Sequence, residues 1–581
     1  MGVSSTADEA ASASPGVSSD PVPSWRRLSA FERLITALAL ILIVAVAVPR
    51  VVYHIYPGDP GDLQTAAAVW GIAHPPGYGG YTLVLGLLCR IFFFAEPAAV
   101  VSAACCACMV ASVWLLIVLL VRIGLHVAIA AAGGLLLTTK GTVWLSTVLP
   151  EVYAPSLLLL MAAAYVIFRY GRLRRRGDLA VAALLFGMLV ANRPVAALYA
   201  PGFLAALWAV ERGSGATVRA IARRTALTIS LALIPVVISV AYVWVRDAPS
   251  NPYNYITQHA EVQGGLPDPG GRVGDRFRRV SWIVTARQYV DQLTADPKSI
   301  RTRIRGIRRA LDVGETVPLL CALVILAVGT VVLSLRGARY VLPVFAVLTG
   351  QGFYLLVYVV YGRAADVLPM VFMGTLLIGA ALATLAPRDP VVPWPKRTRV
   401  VVFAAVCVWL AHHVSLLLMY PARGPGGQTI NMTLIGLLLV GATVMLMLPA
   451  TARRLRHVAC ITLLIVVGAQ VTWKWVTGPS LVDATGTERY LAELDMATLP
   501  EGTVIVADWG TSRRLWYEKL VNTNRDDIKI ITAKYASWSE LADRYADRVV
   551  LVDLSTGPPP GYRMLPWRNL WRLERAAGEG E

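Results

Sequence analysis

The chain has 581 residues, 56% of them hydrophobic and only 15% charged, with a mean hydropathy of +0.59. Those values exclude an ordinary soluble domain and point to a polytopic α-helical membrane protein, because repeated apolar runs of about 20 residues match the bilayer core. The net charge of +18 would suggest a nucleic-acid partner in a soluble chain. Here most of the arginine lies in short loops between apolar runs, where cytoplasmic retention of Lys and Arg explains it, so no nucleic acid is expected.

Residues 1–24 are rich in Ser, Ala, Asp and Pro without a hydrophobic pattern, and are expected to form a disordered cytoplasmic N-terminus. Residues 25–476 read as the transmembrane domain. Apolar runs at 33–52, 79–95, 98–122, 152–170, 178–196, 197–211, 225–245, 316–335, 340–361, 366–386, 399–420, 430–449 and 457–476 read as spans. A shorter run, 124–140, reads as re-entrant or surface-lying. Arg26-Arg27 and the basic loops with Arg172 and Arg174 to Arg176, Arg219, Arg223 and Arg224, Arg336 and Arg339, Lys396, Arg397 and Arg399, and Arg453, Arg454 and Arg456 then fall on one side. That alternation gives about 13 spans, with the N-terminus cytoplasmic and the C-terminus outside the plasma membrane. The seven cysteines sit in apolar runs; Cys105-Cys106-Ala107-Cys108 lacks zinc-ligand spacing, so neither a disulfide nor a metal centre is expected.

Three hydrophilic regions face outward. The first, 53–78, holds Pro57-Gly58-Asp59-Pro60-Gly61-Asp62 and His74-Pro75-Pro76-Gly77-Tyr78. Asp59 as N-cap, Pro60 at the first helical position and Asp62 three residues on read as a helix start that Gly71 would end. The functional reading is that one carboxylate faces a cavity at the membrane surface and accepts a proton from an attacking hydroxyl. His74 could bond a phosphate or a carboxylate, while the prolines and Gly77 set a rigid turn.

The second region, 246–315, is about 70 residues long, too long for a passive connector. In it Asp296-Pro297 starts a basic amphipathic helix: Ile300, Ile304, Ile307 and Leu311 share one face, and Arg301, Arg303, Arg305, Arg308 and Arg309 spread over the rest. Such a helix lies at an interface and attracts anionic lipid heads. The third region, 477–581, reads as a small α/β domain. Strand-like runs at 504–507, 528–531 and 549–552 alternate with helical stretches at 511–522 and 537–547, the pattern of a parallel sheet. It carries no Gly-rich nucleotide motif.

Other polar residues map to the same outer side. Glu151 and Tyr153 open one span, where the glutamate serves equally as a helix cap. Asn192-Arg193 closes another, and Asp366 begins a third. An arginine at an apolar boundary needs a partner: a phosphate suits its planar fork, and an ion pair with Asp59, Asp62 or Glu151 would serve as well.

Gly58-Asp59-Pro60-Gly61-Asp62-Leu63, followed by Gly71-Ile72-Ala73-His74-Pro75-Pro76-Gly77-Tyr78, resembles the Gly-Asp-Ser-Gly-Glu-Leu and Gly-(Val/Ile)-Ala-His-Pro-Pro-Gly-Tyr pattern of the animal O-mannosyltransferase family that acts on plexin-type receptor domains, with its bacterial relatives. Trp144 with Glu151-Val152-Tyr153-Ala154 is similar to the family's next signature. Leu499-Pro500-Glu501-Gly502 through Trp516-Tyr517 and Arg525-Asp526-Asp527 resembles its tail. The resemblance implies a GT-C (C-class glycosyltransferase) fold and a polyprenyl-phosphate sugar donor, mannose first. It implies Asp59 as the preferred catalytic base with inversion, and Asp62, which stands where the family carries glutamate, as a cap or helper, or as the base in its place. His74, Tyr78, Glu151, Tyr153, Asn192, Arg193 and Asp366 are the expected donor- or acceptor-binding residues, although Asn192-Arg193-Pro194 departs from the family's His-rich version. No cofactor is expected beyond the lipid-linked sugar. The expected acceptor is a protein Ser/Thr hydroxyl first and a cell-envelope glycan or lipid second; a transporter or flippase and a non-catalytic scaffold are the readings of other classes.

Overall fold

A computed structural model describes residues 28–293, 296–311, 316–358, 364–385, 453–477, 486–533, 547–553 and 558–576, with short pieces within 400–405 and 541–545. The expected disordered start, most of the runs 399–420 and 430–449, and most of the helix expected at 537–547 lie outside the described residues. The helix α1 (Ala30–Ala47) opens on a capping box in which Ser29 and Glu32 satisfy each other's backbone N–H groups. Its chain then delivers residues 51–58 to one end of the helical bundle, here called the site face.

Two short helices lie across that face, α2 (Asp59–Val69) and α3 (Gly79–Ile91). The expected crossing at 79–95 is not made. At about 1.5 Å per residue α3 is about 20 Å long, short of the roughly 30 Å hydrocarbon core. Its first turn packs on Ser239 and Ala191, and the chain beyond it is still at the site face. There the Ala98 N–H donates to the Tyr517 hydroxyl of the C-terminal domain at 3.1 Å, and Gln64 Nε2 donates to the Ala98 carbonyl.

The helix α4 (Pro97–Arg122) therefore runs from the site face to the far face, where Gly124 abuts the Arg336 guanidinium. The return is made by α5 (Val127–Leu137) and α6 (Gly141–Val148), apolar together and bent by 73°. It ends at the site face, with the Val52 N–H on the Val148 carbonyl at 3.2 Å. The run at 124–140 is thus the first half of a broken span rather than re-entrant or surface-lying. The two differences cancel, so every later crossing keeps its expected direction.

The bundle continues with α7 (Tyr153–Leu173), α8 (Arg176–Asn192), α9 (Ala200–Arg212), α10 (Val218–Arg246), α14 (Thr316–Arg336), α15 (Ala338–Val357), α16 (Leu368–Leu382) and α17 (Arg453–Thr477). Among the described residues seven helices are long and apolar enough to cross a membrane, eight with the bent pair, against the 13 or so expected from hydropathy. Close helix contact relies on glycine in places. A Cβ on Gly187 would fall 2.0 Å from the Ala232 carbonyl oxygen of α10, and one on Gly329 equally close to the Leu377 carbonyl of α16.

The 246–315 region is structured by α11 (Tyr255–Gln263), α12 (Val273–Val284) and α13 (Pro297–Leu311). Asp296 caps α13 through the Ser299 N–H, as its sequence suggests. The region is pinned by Arg279, fully buried, whose guanidinium grips the Asp247 carboxylate at 2.8–2.9 Å and donates to Pro267 O and Thr257 Oγ1. A bridge between Ile72 and Asn254 fastens it to the α2–α3 segment, with Ile72 N–H on the Tyr253 carbonyl at 2.8 Å.

The C-terminal domain begins with α18 (Thr487–Leu494) and contains β1 (Val504–Ala507), α19 (Trp509–Tyr517), β2 (Lys529–Thr532), β3 (Val550–Asp553), β4 (Tyr562–Trp567) and β5 (Leu570–Arg575). Its sheet has the order β2-β1-β3-β5-β4. The first three strands are parallel, as the alternation implies, and β4–β5 adds an antiparallel hairpin not anticipated from the sequence. Asp508 caps α19, its Oδ1 taking the Thr511 N–H at 2.9 Å. That cap puts Trp509 and Arg513, four residues apart, on one helix face.

Gly187→Ala should lower stability by about 1–3 kcal/mol, since backbone must separate to admit the methyl; thermal unfolding in detergent measures it. A cysteine at Phe93 should react with a membrane-impermeant thiol reagent from the same side as one at Arg572 in β5. Labelling from opposite sides would show that α3 crosses.

Candidate active site

The site is built where α2, the α3 entry turn, the 246–315 region and α19 converge. The sequence suggested Asp59 as N-cap. The cap is Gly58, at φ +79°, and Asp59 is the first helical residue. The helix thus begins one residue earlier than expected, and neither acid occupies its expected capping-box position. α2 ends at Val69, one residue before left-handed Trp70, and Gly71 follows it.

Asp62 is fully buried. Its Oδ2 accepts the His74 backbone N–H at 2.8 Å and the imidazole Nδ1–H at 2.7 Å. Its Oδ1 accepts the Tyr253 hydroxyl and Arg513 Nη1, the latter at 3.1 Å. Burial by itself would raise the Asp62 carboxyl. The hydrogen bond and charge of His74, the charge of Arg513 and the Tyr253 hydroxyl outweigh it and bring the group down to about 2. Burial first, and the neighbouring carboxylate after it, hold the Tyr253 phenol well above its ordinary value, so it stays a donor.

Asp59 is different in kind. Its side chain is 18% exposed against none for Asp62. One oxygen, Oδ1, accepts the Trp509 indole N–H at 2.8 Å; the other, Oδ2, lies 3.7 Å from His74 Nε2. The imidazole thus stands between the two acids, with Nδ1 committed to the buried one and Nε2 turned to the reachable one. Tyr78, the left-handed N-cap of α3, and Trp509 meet the His74 ring edge-on at 5.1 and 5.8 Å. Arg513 lies 4.1 Å over the Trp509 ring, fully buried, and also donates to Gln258 Oε1 and Thr532 Oγ1.

A second cluster adjoins the first through Gly80, which packs on Ala191. Arg193 pairs with Asp366, both buried, beneath the rings of Tyr153 and Tyr354 at 5.1 and 5.9 Å. The ion-pair partner is therefore not Asp59, Asp62 or Glu151. Gln351 Nε2 supports the Asp366 carbonyl, and Asn192 Nδ2 ties to the Val152 carbonyl and Ser156 Oγ. Glu151 is not the α7 cap, since Val152 holds that position without a side-chain bond. Its charge acts on Tyr56, and its carbonyl accepts from Cys105 Sγ. The structure thus brings Asp59, Asp62, His74 and Tyr78 into one group and Tyr153, Asn192, Arg193 and Asp366 into another.

Sequence reasoning missed Tyr253, Trp509 and Arg513. The first is fixed by the bridge to Ile72. The other two lie just past the carboxyl end of β1, the position where open parallel sheets place functional residues; that signal was readable. Among the described residues no group of three or more His, Cys, Asp or Glu side chains is placed to hold a metal ion.

Residues 59–214 match a family model described as the protein O-mannosyl-transferase TMEM260 N-terminal domain. The resemblance read from the sequence is shown over that segment, which holds Asp59, Asp62, His74, Tyr78, Glu151, Tyr153, Asn192 and Arg193. No curated protein matches the chain in sequence. Similar solved structures include ArnT from Cupriavidus metallidurans bound to undecaprenyl phosphate, at 13% identity and a TM-score of 0.47 over 94% of this chain and 97% of that one. Two others are the S. cerevisiae protein O-mannosyltransferase Pmt1-Pmt2 complex bound to the sugar donor (13% identity, TM-score 0.31, 38% of this chain and 34% of that one) and the arabinosyltransferase EmbB from Mycobacterium smegmatis (14%, 0.36, 78% and 42%).

Because the Asp62 carboxyl is lowered from 3.8 to about 2, its stabilising contribution is complete above pH 3.8 and is lost as pH falls through 2. The melting temperature should drop across that window. In Asp62→Asn the drop should be blunted, on a baseline lowered by about 3–5 kcal/mol because Arg513 is left buried without its carboxylate. Thermal scans of both proteins from pH 6 to 2 measure this.

Proposed function

We propose that the protein is a GT-C-like membrane glycosyltransferase that moves a hexose, mannose first, from a polyprenyl phosphate to an extracytoplasmic hydroxyl, a protein Ser/Thr side chain before an envelope glycan. The observation that carries the reading is Asp59: a partly exposed carboxylate at one face of a membrane bundle, within a segment that matches an O-mannosyl-transferase family model. Its neighbour Asp62 is fully buried and fully bonded, so of the two only Asp59 can meet a substrate.

In this reading Asp59 takes the proton of the acceptor hydroxyl as its oxygen attacks the anomeric carbon. The bond from that carbon to the phosphate oxygen breaks, and the electron pair leaves with the lipid phosphate. One displacement inverts the anomeric centre. A lipid monophosphate is already anionic, so no acid is required to release it. The bilayer holds the phosphate at the depth of the site, which supplies much of the positioning.

Asp62 and His74 form the support behind the base. Tyr78, Glu151, Tyr153, Asn192, Arg193 and Asp366 are the proposed binding residues. A strongly apolar crevice of about 220 Å³ between α7, α8, α9 and α10 includes Val190 and Ala197, which flank Arg193, and also Phe186 and Phe203; a prenyl chain lying there would bring its phosphate to that cluster. The reading places the site face outside the cell, with support from the other end of the bundle. There Arg174 and Arg224 converge on buried Glu211, and Gly171 packs on Arg339, the arginines that the positive-inside rule keeps cytoplasmic.

The test is transfer of radiolabelled hexose from a polyprenyl phosphate by the purified protein. Wild type should label a Ser/Thr-containing acceptor, and Asp59→Asn should lose at least about 100-fold in rate, the scale of a general base, while melting like wild type. A folded Asp59→Asn protein with normal transfer would remove the carboxylate from the mechanism; no transfer from any lipid donor would remove the reaction.

A further inference from the structure

The family match stops at residue 214, and the acids of the site lie in α2. Yet each of those acids is also held by a group from the far end of the chain. Trp509 donates its indole N–H to Asp59 Oδ1 at 2.8 Å across 450 positions of sequence. Arg513, one helical turn on, donates to Asp62 Oδ1 at 3.1 Å across 451. The two side chains stack, the guanidinium 4.1 Å over the indole. Arg513 is anchored in its own domain by Thr532 Oγ1 at 2.7 Å, at the end of β2. A mere docking surface would place such contacts at a solvated rim. Here Arg513 is 1% exposed and Asp62 not at all.

We infer that the C-terminal domain is an integral part of the catalytic centre, with Trp509 and Arg513 as positioning residues for Asp59 and for the Asp62–His74 pair. This rests on the proposed transferase reading and extends it to a domain that the family match leaves out. Trp509 holds Oδ1 of the Asp59 carboxylate and so fixes the direction in which Oδ2, beside His74, meets the incoming hydroxyl. An indole N–H is a donor only, so Oδ1 can meet it only as an acceptor, and the carboxylate is oriented by it. Arg513 fixes Asp62, and Asp62 in turn fixes the His74 ring through Nδ1, so the nitrogen facing Asp59 cannot swing away.

The same contacts explain why the site is built from three remote segments. Gln258 and Tyr253 of the 246–315 region share Arg513 Nη1 with Asp62. The guanidinium is therefore the point at which the outer region, α2 and the C-terminal domain are clamped together, and the base acquires its orientation only when the domain is seated.

The experiment is a double-mutant cycle in the full-length protein, using the radiolabelled polyprenyl-phosphate hexose. Trp509→Phe keeps the ring that stacks on Arg513 and removes only the N–H. Its kcat should fall roughly 10- to 100-fold, the scale of a charge-assisted hydrogen bond to a reacting carboxylate, with KM for the lipid donor within about 2-fold of wild type. Trp509→His, which can restore an N–H donor, should recover part of the rate. In an Asp59→Asn background the same Trp509→Phe change should cost no further activity, because its effect passes through Asp59. Additive losses in the cycle, or normal kcat in folded Trp509→Phe, would overturn the inference. Absence of transfer by wild type itself would instead refute the transferase reading, so the two failures are distinct. Arg513→Lys is the second variant: it keeps the charge without the planar fork, so it should melt close to wild type yet lose kcat, and full activity in it would also count against the assignment.

Discussion

The structure hangs on one buried carboxylate. Asp62 has no exposed surface, and its two oxygens take four donors, from the His74 backbone, the His74 ring, Tyr253 and Arg513. A charge taken out of water is tolerated only when its lone pairs are answered, and breaking such a set costs about 3–5 kcal/mol. The donors belong to the α3 entry turn, the 246–315 region and the C-terminal domain, so satisfying one acid assembles all three on the site face. The exposed acid, Asp59, then inherits a fixed environment, with Trp509 on one oxygen and His74 beside the other.

The division of labour between the acids follows from burial rather than residue type. Both sit in the first turns of α2, three positions apart. Asp62 lies inward under Arg513 with no exposed surface, and Asp59, at the start of the helix, stays at the rim. The second cluster shows the same economy. Arg193 at an apolar boundary is neutralised by Asp366 and sheltered by two tyrosine rings. A donor phosphate reaching it would compete with an existing carboxylate rather than meet a bare charge.

Much of this was legible in the sequence, and the limits are physical. Hydropathy marked almost every helix of the bundle, because the bilayer imposes length and apolarity. It could not tell α3, apolar but lying along the face, from a crossing helix; nor could it show that the Thr138 to Lys140 break lets α5 and α6 act as one span. Both differences fall between the same two basic loops, so the alternation of the later crossings is unchanged by them. The parallel strands of the C-terminal domain followed from β-rich runs alternating with helical ones, whereas the β4–β5 hairpin, exposed and charge-rich, carried no clear pattern. The acids and His74 were readable from their spacing and resemblance. Tyr253 was not, and although Trp509 and Arg513 stand at a readable place past β1, their pairing with Asp59 and Asp62 was not, since no local rule joins residues separated by 191 to 451 positions.

The central claim is that a lipid-linked sugar reacts at Asp59 on the site face. A structure of the full-length protein in lipid nanodiscs with an unreactive polyprenyl-phosphate hexose and an acceptor peptide tests it most directly. The account predicts the acceptor oxygen within about 3–3.5 Å of both the anomeric carbon and the Asp59 carboxylate, with the phosphate on the opposite side of the sugar ring. A donor seated elsewhere, or one whose phosphate stands between Asp59 and the anomeric carbon, would contradict it.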